Sequence, residues 1–265
     1  MRGQLASSRL VAETGPGIKD GKGVRFCGVR FDLIETNDVL AWCAARSEKD
    51  SFSYLVTPNV DHVVRLNREP DVFGPLYEGA ALSLCDSRIL ELLAGLKNLT
   101  LPVTPGSDLT AALLESIIAP DEAVTIIGGD RALVANIKAR YGLTRLQHYA
   151  PPMGLRHKPD EISKAARFIA DHPARFVFIC VGSPQQEMIA RATAGLSTAR
   201  GLGLCVGASL DFLAGRARRA PKWMQSMRLE WLFRLISEPR RMWKRYLIDG
   251  PRIFYLWLKW KKTDS

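Results

Sequence analysis

The 265-residue sequence lacks the features that would mark a membrane-spanning or secreted chain. No run reaches the roughly 18 to 20 consecutive apolar residues that a bilayer-spanning helix requires. Residues 1–23 are polar and interrupted by glycine and serine, without the apolar stretch of a signal peptide, and this composition predicts a mobile N-terminal tail. We therefore expect a cytoplasmic protein.

Motifs for metals, cofactors and thiol chemistry are also missing. There is no D-x-D pair and no ligand spacing among the four histidines, so we expect no divalent metal and no cofactor. A G-x-G-x-x-G dinucleotide fingerprint starting at Gly201 fails, because Val206 stands at its last glycine position. The five cysteines form no C-x-x-C pair and lie mostly in apolar runs, which predicts buried thiols in a reducing compartment.

Charge, by contrast, is abundant and unevenly distributed. Residues 216–265, here called the C-terminal segment, hold 14 Lys and Arg against 4 Asp and Glu, which accounts for the whole net charge of +10. The same segment holds five of the six tryptophans. Leu229, Leu232, Phe233 and Ile236 follow the spacing of an amphipathic helix. A neutral body is thus followed by a basic, tryptophan-rich helical appendage.

Three interpretations of the C-terminal segment stay open on composition. Cations and indoles together favour peripheral binding to an anionic membrane surface, because arginine and lysine meet the lipid charge and tryptophan prefers the headgroup boundary. An interface within the chain, or between subunits of a homo-oligomer, would also use such a surface. A nucleic-acid arm would use the cations for phosphates and the rings for stacking.

The body alternates apolar, β-branched runs with helical patterns. The predicted strands are Val24–Phe31, Phe52–Thr57, Ala80–Leu84, Leu99–Val103, Ala123–Ile127, Thr144–Tyr149, Arg175–Val181 and Gly203–Val206. The predicted helices are Thr36–Arg46, Val60–Asn67, Ser107–Ile118, Arg131–Tyr141, Pro159–Asp171 and Gln185–Ala194. This alternation predicts a Rossmann-like, layered α/β fold with a mostly parallel sheet over residues 24–215.

Polar residues follow several predicted strands, where such sheets bind their ligands. Thr57 ends one predicted strand and Asn59 follows it, and they are either helix caps or hydrogen-bonding groups for a ligand. Asp86 follows the next strand, and it is either a cap or a general base for a hydroxyl nucleophile. Gly128 and Gly129 form a strand-to-helix turn whose backbone N–H groups could meet a phosphate.

Two later strand exits add candidates for substrate binding. Gln186 and Glu187 follow Gly182-Ser183-Pro184, where they could complete a helix start or read sugar hydroxyls. Asp211 closes the cluster Val206-Gly207-Ala208-Ser209-Leu210-Asp211.

The order of these clusters is more informative than any one of them. The blocks are Thr57-Pro58-Asn59, Cys85-Asp86-Ser87, Pro105-Gly106-Ser107-Asp108-Leu109, Ile127-Gly128-Gly129, Gly182-Ser183-Pro184-Gln185-Gln186-Glu187, Val206-Gly207-Ala208-Ser209-Leu210-Asp211, Arg219-Ala220-Pro221, Leu229-Glu230-Trp231-Leu232-Phe233-Arg234-Leu235, Glu238-Pro239-Arg240-Arg241 and Arg245-Tyr246. Over about residues 24–248 the sequence resembles the WecG/TagA/CpsF family of glycosyltransferases.

The resemblance implies an inverting, metal-independent transfer from a UDP-sugar to an undecaprenyl-diphosphate-linked acceptor, in the synthesis of cell-surface or exported polysaccharide. It implies that Asp86 is the base, that Thr57 and Asn59 lie near the reacting sugar, and that Gln186 and Glu187 lie on the donor side. The basic appendage of the family is thought to close over the site and meet the membrane. This sequence departs from the family pattern at two places, with Ser87 where a glycine is expected and Val103 where an arginine is expected.

The mechanism expected from these residues begins with Asp86 removing a proton from the acceptor hydroxyl. The Gly128-Gly129 turn and arginines of the C-terminal segment, Arg219 first among them, would neutralise the leaving diphosphate. Two rival functions use the same features differently. A nucleic-acid-binding protein would use only the basic segment, and an enzyme that modifies UDP-sugars, such as an epimerase, would need no lipid acceptor.

Overall fold

In the computed structural model, the residues described are 23–216, 220, 221, 223, 224, 227 and 229–261, with the side chain of Arg241 left out. The predicted N-terminal tail up to residue 22 and Arg219 lie outside the described residues. None of the helices described is long and apolar enough to cross a membrane.

A parallel sheet of six strands organises the body. A separate hairpin comprises β1 (Gly23–Phe26) and β2 (Val29–Asp32). The sheet strands are β3 (Ser53–Val56), β4 (Leu82–Ser83), β5 (Ala123–Ile127), β6 (Arg145–Tyr149), β7 (Phe176–Ile179) and β8 (Leu202–Cys205). They lie in the order β4-β3-β8-β7-β5-β6, and every neighbouring pair is parallel. The predicted α/β fold with a mostly parallel sheet is confirmed.

Helices cover both faces of this sheet. They are α1 (Thr36–Ala44), α2 (Val60–Arg68), α3 (Pro70–Glu78), α4 (Arg88–Gly95), α5 (Gly106–Ser116), α6 (Arg131–Tyr141), α7 (Pro159–Asp171), α8 (Gln185–Ala194) and α9 (Ser209–Leu213). A short 3-10 turn, Leu155–His157, precedes α7. One apolar core joins the sheet to α2, α3, α4, α7 and α8, and a second core joins it to α1, α5, α6 and α9. Strands between two such layers are buried on both faces, which explains their apolar runs.

Two predicted strands differ from the structure. Val24–Phe31 is an antiparallel hairpin, because Cys27 and Gly28 both have positive φ (49° and 81°) and form a tight reversal. Leu99–Val103 is wrong as a strand, since Val103 makes only an isolated bridge to Cys85. Pro102 has no N–H to donate to a ladder, which is one reason why pairing stops there.

The C-terminal segment contains α10 (Glu230–Ser237), α11 (Pro239–Trp243), a π-helical stretch (Lys244–Asp249) and α12 (Arg252–Lys259). Its end packs on the body. The Trp257 indole N–H donates to the Leu93 carbonyl at 2.7 Å, and the Trp260 indole N–H donates to the Arg25 carbonyl at 2.8 Å. Both indoles therefore anchor α12 within the chain.

Candidate active site

A cavity of about 770 Å³ lies at the carboxyl ends of β3 and β4. Asn59 and Asp86 line it from the strand exits, and Asp108 lines it from the first turn of α5. The C-terminal segment forms the opposite wall, with polar and aromatic side chains from α10 and the π-helical stretch. The cavity therefore lies between the C-terminal segment and the edge of the sheet formed by the carboxyl ends of the strands, where parallel sheets bind their ligands.

The backbone fixes Asp86 at the base of this cavity. Its N–H donates to the Pro58 carbonyl at 3.0 Å, which joins the exits of β4 and β3. Its carboxylate accepts a hydrogen bond from the backbone N–H of Gly106, at the start of α5. The cap of α4 is instead Ser87, whose hydroxyl oxygen accepts from the Leu90 N–H at 3.3 Å. Asp86 is therefore not the cap of α4, and its carboxylate faces the cavity.

Its surroundings raise the pKa of the Asp86 carboxyl from 3.8 to about 7. Burial is the largest cause, because a carboxylate loses hydration there. The charge of Glu230 raises the pKa further, while Arg234 and the Gly106 hydrogen bond lower it. Burial thus dominates the shift, and two residues of the C-terminal segment modify it in opposite directions.

Asn59 serves as a helix cap and also contacts the C-terminal segment. Its side-chain oxygen accepts from the Asp61 N–H at 3.1 Å, and the His62 ring accepts from the Asn59 N–H at 3.1 Å, which completes a capping box on α2. Arg245 donates to the same side-chain oxygen at 3.1 Å and lies 3.7 Å from the Asp61 carboxylate. Asn59 therefore links the start of α2 to the cavity wall opposite.

Thr57 is buried and does not line the cavity. Its hydroxyl donates to the Cys205 carbonyl at 3.2 Å, which joins the exits of β3 and β8. A side chain at Gly106 would bring a Cβ to 3.2 Å from the Thr57 oxygen, so the start of α5 fits closely over it. Thr57 therefore joins the ends of β3 and β8 and lies against the start of α5.

Gln186 and Glu187 are buried at the start of α8, outside the lining of this cavity. The Gln186 amide nitrogen and the Tyr77 hydroxyl both donate to Glu187, at 2.9 and 3.2 Å. The Gln186 side-chain oxygen accepts from the Gly207 N–H at 2.9 Å, which fixes the turn after β8. Burial raises the pKa of Glu187. The pair therefore joins α3, α8 and the β8 exit.

Gly128 and Gly129 form a second exit on the same sheet edge, with φ of 100° and 69°. The connections after β5 and β7 leave in opposite directions, towards β6 and β8, so the switch point of the sheet lies between them. A Cβ at Gly128 would come within 2.8 Å of the Cys180 carbonyl oxygen, so only glycine fits without a shift. The backbone of the turn after β5 therefore lies close to the backbone of Cys180, which follows β7.

Asp130 follows this turn and caps α6, since its carboxylate accepts from the Leu133 N–H at 2.8 Å. Arg216 forms a two-pronged ion pair with the same carboxylate, at 2.6 and 2.8 Å. The Arg216 hydrogen bond is the main cause that lowers the pKa of Asp130 to about 2. Asp211, which is half-buried on α9, lies five residues before Arg216 in the sequence. Its backbone carbonyl accepts a hydrogen bond from the Arg216 backbone N–H at 2.9 Å.

The structure adds cavity residues to which the sequence assigned no role. Glu230 and Arg234 lie one helical turn apart on α10 and both line the cavity with Trp231, Arg245 and Tyr246. Trp231 and Tyr246 pack edge to face at 6.2 Å between ring centres. The sequence signal for them was their place in the blocks Leu229–Leu235 and Arg245-Tyr246, which carry part of the family resemblance, rather than any catalytic motif. No group of three or more His, Cys, Asp or Glu suited to a metal ion occurs within the part of the chain that the structure describes.

In this layered α/β protein, a carboxyl group with a raised pKa lies in a cavity at the strand ends. Such a group can transfer a proton to or from a bound ligand. The model of the glycosyl transferase WecG/TagA/CpsF family matches residues 24–265, nearly the whole chain. The chain belongs to that family. It is therefore a glycosyltransferase of cell-surface polysaccharide biosynthesis, and the family's reaction joins a sugar-nucleotide donor to a lipid-linked acceptor.

Proposed function

We propose that this glycosyltransferase inverts the anomeric centre as it moves a hexose from a UDP-sugar to a polyprenyl-diphosphate-linked saccharide. The donor sugar is of the N-acetylmannosamine type, its uronic acid or another hexose. The observation that carries the proposal is Asp86, a carboxylate with a pKa of about 7, facing a cavity at the strand ends. A base with such a pKa is half ionised near neutral pH, where it both accepts and releases protons.

In the proposed step, Asp86 takes the proton of the acceptor hydroxyl while that oxygen bonds to the anomeric carbon. The bond from this carbon to the UDP oxygen breaks on the opposite face, and UDP leaves with the electron pair. Asn59 orients the sugars from the cavity lining, and Thr57 ties the end of β3, which Asn59 follows, to the end of β8. Gln186, Glu187 and Asp211 act on the donor side by shaping the exits of β7 and β8.

Arginine side chains and backbone N–H groups would neutralise the leaving diphosphate without a divalent metal. Arg234 and Arg245 line the cavity, and they supply fixed positive charge close to Asp86 and Asn59. The Gly128-Gly129 turn at the switch point offers a backbone approach for a phosphate. Arg219, which lies outside the described residues, belongs to the same proposal.

The surface of the C-terminal segment supports a position at the inner face of the plasma membrane. Trp243, Leu247 and Ile248 are exposed apolar side chains, and lysines and arginines interleave with them. Such a surface suits an anionic bilayer better than water alone. The proposal is thus a cytoplasmic enzyme that works on a lipid acceptor as a peripheral membrane protein.

The deciding experiment measures UDP release by the purified chain with a panel of UDP-sugars, with and without a polyprenyl-diphosphate saccharide. We expect acceptor-dependent release that falls by roughly 10²- to 10⁴-fold in Asp86→Asn, the range for loss of a general base. Release that persists in EDTA would support metal independence.

Asp130→Asn is the matched control, because asparagine caps a helix as well as aspartate does. The control should keep its activity within a few-fold. Full activity in Asp86→Asn would remove Asp86 from the mechanism. Turnover of the donor in the absence of any acceptor would favour a UDP-sugar-modifying enzyme instead.

A further inference from the structure

The outward face of α4 changes from charged to apolar along a single stripe. Arg88, Leu92 and Leu96 follow each other at intervals of four residues, so they lie on the same side of the helix. Leu92 is 44% exposed and Leu96 is 63% exposed, although leucines of the neighbouring face are buried in the core. The stripe begins two residues after Asp86 and leads away from the cavity floor.

A second apolar stripe runs along α12, which packs beside α4. The Trp257 indole bonds to Leu93, and the Lys97 ammonium lies 5.2 Å from the Trp257 ring, so the two helices are in contact. Phe254 and Leu258 are one turn apart on α12 and are 51% and 67% exposed. The two stripes lie on adjacent helices.

These stripes are continuous with the cavity. Leu92 and Phe254 belong to its lining, together with Asp86 and Arg234 at the polar end. One space thus has a carboxylate at the strand ends, a guanidinium on the opposite wall, and an exposed leucine and phenylalanine in the same lining. An exposed apolar surface that continues from a polar site is suited to a ligand that is itself amphiphilic.

We propose that the groove between α4 and α12 binds the first isoprenoid units of the lipid-linked acceptor, with Arg88 beside its diphosphate. The inference rests on the proposed function, because it takes the acceptor's sugar to lie at Asp86. An α-helix rises about 1.5 Å per residue, so Leu92 and Leu96 lie about 6 and about 12 Å beyond Arg88 along the axis. This order, base, cation and then two apolar positions, matches the order of sugar, diphosphate and prenyl chain.

The charges support this occupant over a second copy of the chain. Arg88 lines the cavity and pairs at 3.0 Å with Glu91 on the surface, where water screens the pair and a diphosphate can compete for the guanidinium. Lys97 adds a cation where the apolar stripes continue. A protein partner would cover the outer leucines but would leave the polar end of the cavity unfilled.

The first test compares two acceptors that carry the same saccharide diphosphate, one on a long polyprenyl chain and one on a short, water-soluble alkyl chain. The double variant Leu96→Ser and Leu258→Ser should lower the preference for the long chain, as a ratio of kcat/KM values, by about tenfold, which corresponds to about 1.4 kcal/mol. Val72→Ser is the control, because Val72 is an exposed apolar residue of α3, outside the cavity lining. An unchanged preference in the double variant would overturn the inference.

The second test does not depend on turnover. A prenyl diphosphate without sugar, bearing a benzophenone on its second isoprene unit, is photolysed with the wild-type chain and the adducts are mapped by mass spectrometry. Adducts within residues 88–97 and 252–260 that unlabelled prenyl diphosphate suppresses would support the groove. Adducts elsewhere, or equal labelling of these residues by a benzophenone phospholipid, would overturn it. If neither acceptor is turned over, the proposed function fails, while the labelling still decides the groove.

Discussion

Two aspartates that follow parallel strands of the same sheet have opposite properties. Asp86, after β4, has a pKa raised to about 7, and Asp130, after β5, has a pKa lowered to about 2. Asp86 is enclosed beneath the C-terminal segment, with Glu230 facing it. Asp130 is exposed, caps α6 and pairs with Arg216. A position at a strand end therefore does not determine the pKa of a carboxyl group. The burial and the charged neighbours of that group determine it.

The segments that follow β5 and β4 are also built in two different ways. The β5 exit is closed by glycine, since Gly128 brings two backbones together without a side chain between them. The β4 exit is left open at the sheet and is closed by a distant part of the chain. An exit of the second kind leaves a cavity, and its electrostatics depend on whether the distant part is in place.

The largest stability effect should come from the glycine-built exit. Gly128→Ala adds a Cβ at 2.8 Å from the Cys180 carbonyl oxygen and imposes a left-handed φ of 100° on a non-glycine residue. We expect the free energy of unfolding to fall by about 3 kcal/mol or more, from strain and overpacking together. Urea unfolding followed by circular dichroism would measure it.

Gly182→Ala is the matched control for that change, because Gly182 has a φ of 79° but no atom within 4 Å of the added Cβ. It should lose only about 1–2 kcal/mol, the cost of the left-handed backbone. Equal losses in the two variants would mean that backbone strain, rather than the close approach to Cys180, limits the β5 exit.

A smaller and opposite effect should appear at the β4 exit. The folded-state pKa of Asp86, about 7, exceeds the ordinary 3.8. Unfolding therefore releases a proton between these pH values, and the stability contributed by this group falls as pH rises from 4 to 7. Asp86→Asn removes that penalty, so the variant should be more stable than wild type at pH 8, by on the order of 2 kcal/mol.

Asp130→Asn should show the reverse dependence. The folded-state pKa of Asp130 is depressed, so its contribution is present above the ordinary 3.8 and is lost as pH falls towards 2. Thermal melts of both variants and wild type between pH 2 and pH 8 would show the two signs, with the Asp130 effect below pH 4 and the Asp86 effect between pH 4 and pH 7. A melting difference for Asp86→Asn that stays constant over this range would contradict the raised pKa.

Much of the fold was predictable, because its signals are local. The bounds of α6, α7 and α8 agree with the sequence patterns residue for residue, since each has a clear start and an apolar face. The helices α3 and α4 were not predicted. Gly74 and Pro75 interrupt the pattern of α3, and α4 is short and leucine-rich. Such a segment acquires its shape from packing rather than from propensity.

The site was predictable only in part, for a physical reason. That Asp86 and Asn59 lie together follows from parallel strands, whose carboxyl ends meet at one edge. That Glu230, Arg234 and Arg245 face them depends on how a distant segment folds back over the sheet. The choice between cap and ligand group at Asp86 also needed the structure, because Ser87 is equally able to cap and does so.

The smallest expected effect is a shift in the pH dependence of transfer. With Asp86 as base, kcat/KM should rise with pH through a limb near 7, since the carboxylate must be ionised. Glu230→Gln removes a neighbouring negative charge and should move this limb to lower pH, whereas Arg234→Gln should move it to higher pH. We expect each shift to be roughly 0.5 to 1 pH unit.

The opposite directions are what make this test specific. A variant that merely loosened the C-terminal segment would reduce the burial of Asp86 and move the limb to lower pH, whichever charge had been removed. Glu238→Gln is the control, since Glu238 lies just beyond α10 and is not among the charges that shift the pKa of Asp86. It should leave the limb in place. If Glu230→Gln and Arg234→Gln moved the limb in the same direction, the C-terminal segment would act on Asp86 through burial rather than through charge, and the contrast with Asp130 would be one of solvent access alone.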